Sequence, residues 1–186
     1  MEIILASGSP RRRELLGLLI PGFRVEASGA DEHLPEGLAP EEYVSRLAEK
    51  KAAEVAGRFP GAVVIGSDTV VELGGEILGK PADSAGAAQM LRKLAGREHR
   101  VHTAVRVLSP MGNRTVVSST SVEFAPMTEE EIAWYVSTGE PLDKAGAYGI
   151  QGYASRYITG IRGDYYTVMG LPVQQLYQVL RELGIL

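Results

Sequence analysis

The residues from Met1 to Arg13 constrain the fold more tightly than any other stretch. An apolar run, Ile3 to Leu5, leads through Ala6 into Ser7-Gly8-Ser9-Pro10-Arg11-Arg12-Arg13. The run reads as a buried strand, Gly8 permits a close backbone turn, Ser9 suits a helix N-cap and Pro10 suits the first helical position. A strand that turns at once into a helix, followed at Phe23 to Val25 by a second strand pattern, predicts an α/β fold. The helix start also brings unpaired backbone N–H groups next to guanidinium groups, a combination that attracts anions and phosphate above all. Yet arginines in a first turn oppose the helix dipole, and three in a row are also the signature of a solvated surface. On this stretch alone both readings stand.

The whole chain narrows the choice of partner. A net charge of -4 argues against general binding to nucleic acid or to a membrane surface, so any anion site has to be local. With no cysteine there is no disulfide framework, thiolate metal site or cysteine nucleophile. The opening residues lack the long apolar core of a signal peptide and no apolar run reaches membrane-spanning length, so a cytoplasmic location is expected. At 186 residues, with no dividing linker, the expectation is one domain over 1–186.

Farther along, Pro40 to Ala56 carries Tyr43, Val44, Leu47, Ala48, Ala52 and Val55 at helical spacing, with Lys51 near the apolar edge. Ala62 to Ile65 is a strand-like run broken at Gly66-Ser67-Asp68-Thr69 before Val70-Val71 resumes the pattern. Gly74-Gly75 predicts a hairpin turn, Asp83 and Gly96 bracket a helix, and His99 to Leu108 and Arg114 to Phe124 alternate as two strands. Thr128 and Glu131 form a capping-box pattern for a further helix. Gly139 to Gly152 is too rich in glycine for a regular element, as functional loops are. Arg156 to Ile161 and Tyr165 to Met169 read as a last hairpin around Arg162-Gly163-Asp164, and Pro172 opens the final helix.

Several side chains in this layout can carry chemistry. Gly74 to Lys80 has the G-x-x-x-x-G-K spacing of a phosphate-binding Walker A loop. Pro81, however, stands where the motif needs the hydroxyl that holds magnesium, and the segment reads as a hairpin. Lys80 remains a phosphate-ligand candidate by another geometry. Asp68 is either a cap at a strand bend or an acid in a strand interior, which needs a cation, a metal or a substrate to offset its desolvation. Glu32 alone is a loop carboxylate, Lys51 a helix-edge lysine, and Gln151 either a turn residue or an amide able to read a base edge. His33, His99 and His102 share no zinc-ligand spacing. Together the basic loop, two carboxylates, two lysines and a glycine-rich loop suit a nucleotide phosphate bridged to a divalent cation.

The segments SGSPRRRELL at Ser7 to Leu16, DE at Asp31-Glu32, RLAEKKA at Arg46 to Ala52 and SDTVV at Ser67 to Val71 carry a resemblance. So do GKP at Gly79 to Pro81, DKAGAYGIQG at Asp143 to Gly152 and GLPV at Gly170 to Val173. Over nearly its whole length the chain resembles the Maf proteins, nucleoside triphosphate pyrophosphatases linked to septum formation and nucleotide housecleaning. The resemblance implies an α/β fold of two lobes around an extended mixed sheet flanked by helices, with a central cleft, like that of inosine triphosphate pyrophosphatases. It puts Asp68 in the place of the catalytic proton acceptor, and Ser7, Arg11, Arg12, Glu32, Lys51 and Lys80 on positions lining the phosphate and metal site. Glu32 and Asp68 would hold magnesium or manganese. Arg12, Thr69 and Gln151 fall where the family's branches differ, and they match the dTTP/UTP branch rather than the 7-methyl-GTP branch. Thr69 and Gln151 are then the expected base readers, while Arg13 has no implied role and is expected at the surface. The resemblance further implies a homodimer acting on a nucleoside triphosphate. The alternative is a non-hydrolytic nucleotide sensor in division arrest.

Overall fold

Ser9 and Pro10 begin a helix as their positions predict: the Ser9 hydroxyl accepts the Arg12 backbone N–H at 3.4 Å, and Pro10 occupies the first turn. The computed structural model describes residues 1–186. Its elements in chain order are β1 (Ile3–Ala6), α1 (Pro10–Gly17), β2 (Arg24–Val25), α2 (Pro40–Arg58), β3 (Val63–Leu73), β4 (Glu76–Leu78) and α3 (Ser84–Leu94). There follow β5 (Glu98–Leu108), β6 (Arg114–Phe124), α4 (Glu129–Ser137), β7 (Ile158–Arg162), α5 (Tyr165–Met169) and α6 (Val173–Glu182).

The strands form a seven-stranded mixed sheet in the order β2-β1-β3-β5-β6-β7, with β4 paired to β3. β1 runs parallel to both β2 and β3, whereas β3–β4 and β6–β7 are antiparallel. The α/β expectation therefore holds. Because β2 lies on one side of β1 and β3 on the other, the chain reverses its direction of winding at β1. In open α/β sheets the crevice at the carboxyl ends of such strands is where ligands bind. The β1–β3 register runs from Ile3↔Val63 to Ala6↔Gly66, which brings the Ser7 loop and the Ser67-Asp68-Thr69 segment to that end together.

The chain divides into two compact units, one made of Met1–Thr69, Thr103–Ser118 and Gly170–Leu186, the other of Val70–His102 and Ser119–Met169. In the first unit Ile4, Ala6, Ala52, Val55 and Val64 form a fully buried cluster, to which Phe59 and Leu108 add their partly buried side chains. In the second, α3 buries Ala87, Leu91 and Leu94, and α4 buries Ile132 and Tyr135. The capping box predicted for α4 is present, with Thr128 and Glu131 each bonded to the other's backbone N–H.

Three segments differ from the sequence reading. β3 is continuous through Asp68, because Gly66-Ser67-Asp68-Thr69 keeps its ladder instead of bending. Tyr165–Met169 is a helical turn rather than a strand. Asp164 caps it, its Oδ2 accepting both the backbone N–H and the hydroxyl of Thr167 at 2.7 Å, so β7 pairs with β6 instead. The Gly139–Gly152 loop is also not featureless, for it contains short 3₁₀ turns at Glu140–Asp143 and Ala145–Ala147.

His99 is buried in the second unit, hydrogen-bonded through Nε2 to the Tyr148 hydroxyl at 2.7 Å and packed edge-on against Phe124. Burial pulls its pKa from the ordinary 6.5 down to about 4. The unfolded chain therefore takes up a proton on this residue before the folded one does. The neutral histidine's contribution is intact above the unfolded pKa and is lost as pH falls toward the folded one. Urea unfolding at pH 7 and pH 5 should show about 2 kcal/mol less stability at the lower pH from this group, and a His99→Gln variant should lose that portion of the difference. An identical pH response in both proteins would count against it.

Candidate active site

Gly66 sits where β3 meets α2. A Cβ on it would lie 2.6 Å from the carbonyl oxygen of Ala48 and 2.8 Å from the backbone nitrogen of Ala52. With no side chain at this point and alanines facing it, the helix lies directly on the strand. That contact brings Lys51, next to Ala52 on α2, against Asp68, two residues beyond Gly66 on β3. The Lys51 ammonium donates to Asp68 Oδ1 at 2.6 Å and lies 3.0 Å from Glu32 Oε1. Asp68 is buried within its strand, as an acid there requires, and Lys51 offsets its charge.

Glu32 is exposed, and its loop is held from the same helix. Lys50 Nζ donates to the carbonyls of Asp31 at 3.1 Å and His33 at 2.8 Å, while the Asp31 carboxylate accepts the His33 backbone N–H at 3.0 Å. Adjacent lysines on α2 thus take the backbone on either side of Glu32 and the Glu32 carboxylate itself. Tyr43 lies on the same helix, two turns before Lys51. Its hydroxyl pKa is raised by burial first and then by the charges of Asp68 and Glu32, with Lys51 acting in the opposite sense.

Arg12 ties three segments together. Its Nε donates to the Gly170 carbonyl at 2.9 Å, Nη1 to the Ser7 hydroxyl at 3.4 Å and Nη2 to the Thr69 hydroxyl at 3.0 Å. Ser67 donates to the same Gly170 carbonyl at 3.0 Å, and Thr69 shares a hydrogen bond with Thr103 at 2.9 Å. Gly170 has φ +114, and a Cβ there would stand 3.4 Å from both Arg12 Nε and Thr69 Oγ1, so a side chain would meet strain as well as crowding. A guanidinium carries five N–H groups. Those not aimed at Gly170, Ser7 and Thr69 are held at a fixed angle by the three that are. Burial lowers the Arg12 pKa and Arg11 acts in the same sense, whereas Asp68 and Glu32 raise it. An arginine so placed stays charged.

Ser7, Arg12 and Thr69 therefore form one hydrogen-bonded set, and Glu32, Lys51 and Asp68 another, with Arg12 within electrostatic reach of both carboxylates. Arg11 is half-buried in the first turn of α1, and Arg13 is exposed, as the sequence suggested. An open hollow lined by Gly8, Ser9, Arg13 and Phe23 includes neither Asp68 nor Lys51.

Lys80 and Gln151 belong to the second unit and are both exposed. Lys80 follows Gly79, whose carbonyl accepts the Gly146 N–H at 3.0 Å. The Gly74-Gly75 hairpin joining β3 to β4 confirms that this stretch is not a Walker A loop. Sequence reasoning passed over Gly66, Lys50, Ser67, Thr103 and Gly170. Only the segments RLAEKKA, SDTVV and GLPV marked some of them, without a role.

A family model described as Maf-like protein matches residues 2–183, across both units. A protein of Symbiobacterium thermophilum named dTTP/UTP pyrophosphatase is 50% identical over 183 residues, covering 98% of this chain and 94% of that protein. One of the same name from Koribacter versatilis is 48% identical, covering 100% and 96%. Among solved structures, the Staphylococcus aureus Ham1 protein aligns over 98% of this chain and 99% of its own with a TM-score of 0.59. At 17% identity that likeness concerns the fold.

The contact of α2 with β3 predicts that Gly66→Ala will be destabilised by about 1–3 kcal/mol in urea unfolding, because its neighbours there are backbone atoms with little room to yield. A variant as stable as the parent would mean that the helix does not depend on the missing side chain.

Proposed function

The chain belongs to the Maf family, and we propose that it is a nucleoside triphosphate pyrophosphatase that hydrolyses dTTP and UTP to the nucleoside monophosphate and pyrophosphate. The observation that carries the mechanism is the buried Asp68 carboxylate, bonded to Lys51 in the middle of β3, with Glu32 on the same ammonium. The names of the full-length relatives support hydrolysis over nucleotide sensing.

In this reading Asp68 accepts a proton from a water molecule as the water oxygen attacks the α-phosphorus. The bond between the α-phosphorus and the bridging oxygen to the β-phosphorus breaks, and pyrophosphate leaves with the bonding electron pair. Lys51 holds Asp68 oriented for that transfer. Arg12, already fixed by Ser7, Thr69 and Gly170, offers its remaining N–H groups to phosphate oxygens, and the family resemblance supports Arg11 and Lys80 as further phosphate ligands. Thr69 and Gln151 read the base, Gln151 through an amide that makes no hydrogen bond within the protein. A site built to bond a base edge rejects bases that leave its groups unpaired.

The donor set also fits a divalent cation. Glu32 and Asp68 point carboxylate oxygens at one positive centre, and no cluster of three or more His, Cys, Asp or Glu residues suited to a metal occurs in the chain. Magnesium takes one or two carboxylates together with substrate phosphates and water, and manganese accepts similar oxygen ligands. When bound by Glu32 and Asp68, the ion supplies neutralisation of phosphate charge. The reading extends to a homodimer, supported by the family resemblance, and to the cytoplasmic location expected from the sequence; no helix is long and apolar enough to cross a membrane.

Turnover of dTTP, UTP, ATP, GTP and 7-methyl-GTP with magnesium or manganese tests the assignment. The pyrimidine nucleotides should be fastest, and Asp68→Asn should lower kcat on them by about a hundredfold or more. Fastest hydrolysis of 7-methyl-GTP, or near-normal turnover by Asp68→Asn, would overturn it.

A further inference from the structure

We propose that Glu140 is the positioning residue for the turn that carries Gln151, and that through this turn it sets the enzyme's preference among bases. The inference rests on the reading of Gln151 as a base reader given above.

Gln151 lies in a tight turn closed by the Gly152 N–H bonding to the Gly149 carbonyl at 3.1 Å. Both glycines are pressed against the segment Glu140–Lys144. A Cβ on Gly149 would lie 2.8 Å from Lys144 Cε, and one on Gly152 would overlap the Glu140 carboxylate. That carboxylate holds both ends of the turn. Its Oε2 accepts the Tyr153 N–H at 2.9 Å on the far side of Gln151. Its Oε1 accepts the Tyr135 hydroxyl at 2.7 Å, and the Tyr135 oxygen accepts the Gly149 N–H at 3.2 Å on the near side. Tyr135 is fully buried, so the hydroxyl that links Glu140 to Gly149 is fixed by the core of the second unit.

The carboxylate is anchored in turn. Lys144 Nζ donates to the Glu140 carbonyl at 2.7 Å and to Asp143 Oδ1 at 2.7 Å, holding the 3₁₀ turn from which Glu140 projects. Between this turn and Gln151 the backbone passes through two successive left-handed residues, Gly146 at φ +66 and Ala147 at φ +61. Alanine adopts that conformation only when its surroundings over-determine it. Gly146 is itself pressed onto Val71, with 2.6 Å between its Cβ position and Val71 Cγ2. Every contact that fixes the turn thus involves the backbone or side chains of neighbouring residues, and the Gln151 amide remains for a ligand.

An amide discriminates between bases only to the extent that its position is fixed before binding. Loosening the turn should therefore erode selectivity more than turnover. The experiment compares kcat/KM for dTTP and GTP in the parent, Glu140→Gln, Tyr135→Phe, Gln151→Ala and the double variant Glu140→Gln/Gln151→Ala, with urea midpoints measured in parallel. Glu140→Gln should lower the dTTP-to-GTP ratio by about tenfold, and the double variant should lose no more than Gln151→Ala alone. Tyr135→Phe keeps the ring in the core and removes only the bridging hydroxyl, so it should lower the ratio even if Glu140→Gln folds poorly. If Gln151→Ala collapses the ratio while Glu140→Gln and Tyr135→Phe leave it intact, the positioning role is wrong and the base-reader role survives. If Gln151→Ala itself leaves the ratio unchanged, the base-reader role and everything resting on it fail.

Discussion

The candidate site depends on how closely α2 approaches β3 at Gly66. A helix packed on a sheet through ordinary side chains would stand farther off, and Lys51 would then point past Asp68 into solvent. Because Ala48 and Ala52 meet a bare backbone, the ammonium reaches the carboxylate at 2.6 Å. The acid then stays in the middle of a strand, flanked by Ser67 and Thr69 and by the apolar residues beyond them. Such a pair is no bargain for stability alone, since desolvation of two ions consumes much of their attraction. In the proposed reaction its value lies in holding a carboxylate where water and phosphate can reach it.

A second constraint keeps the elements around Arg12 in register. Arg12 belongs to the first turn of α1, yet its guanidinium bonds the Ser7 hydroxyl in the preceding loop, Thr69 next to Asp68 on β3 and the Gly170 carbonyl before α6. The parallel pairing of β1 with β3 up to Ala6↔Gly66 makes that possible, because Ser7 and Ser67 follow the last paired residues at the same level. Lys50 and Lys51 do the corresponding work for Glu32, one holding its loop by the backbone and the other its carboxylate. Arg12, Lys50 and Lys51 thus each have structural partners, so the proposed reaction demands little reorganisation of them.

The opening strand, loop and helix were legible because Ile3 to Leu5, Ser9 and Pro10 act through local rules of burial and capping. The same holds for the capping box at Thr128 and the Gly74-Gly75 hairpin. Asp68 was legible as an acid in need of a partner, and its position in an unbroken strand was not, because the glycine and polar residues around it mimic a bend. The helix at Tyr165–Met169 was missed because its start depends on Asp164 capping Thr167, which competes with the strand propensity of two tyrosines and a valine. Lys50 was invisible for a different reason: it bonds backbone carbonyls seventeen and nineteen residues away. Gly170 likewise acts through its carbonyl and its left-handed backbone, neither of which leaves a mark in side-chain spacing.

All of these features bear on one claim, that Asp68 directs water to the α-phosphorus of a bound pyrimidine triphosphate. Hydrolysis of dTTP in water enriched in oxygen-18 tests it most directly, with the label located by mass spectrometry. The account predicts one heavy oxygen in the nucleoside monophosphate and none in the pyrophosphate. Label in the pyrophosphate would put the attack on the β-phosphorus, and release of labelled orthophosphate would put it on the γ-phosphorus; either result contradicts the account.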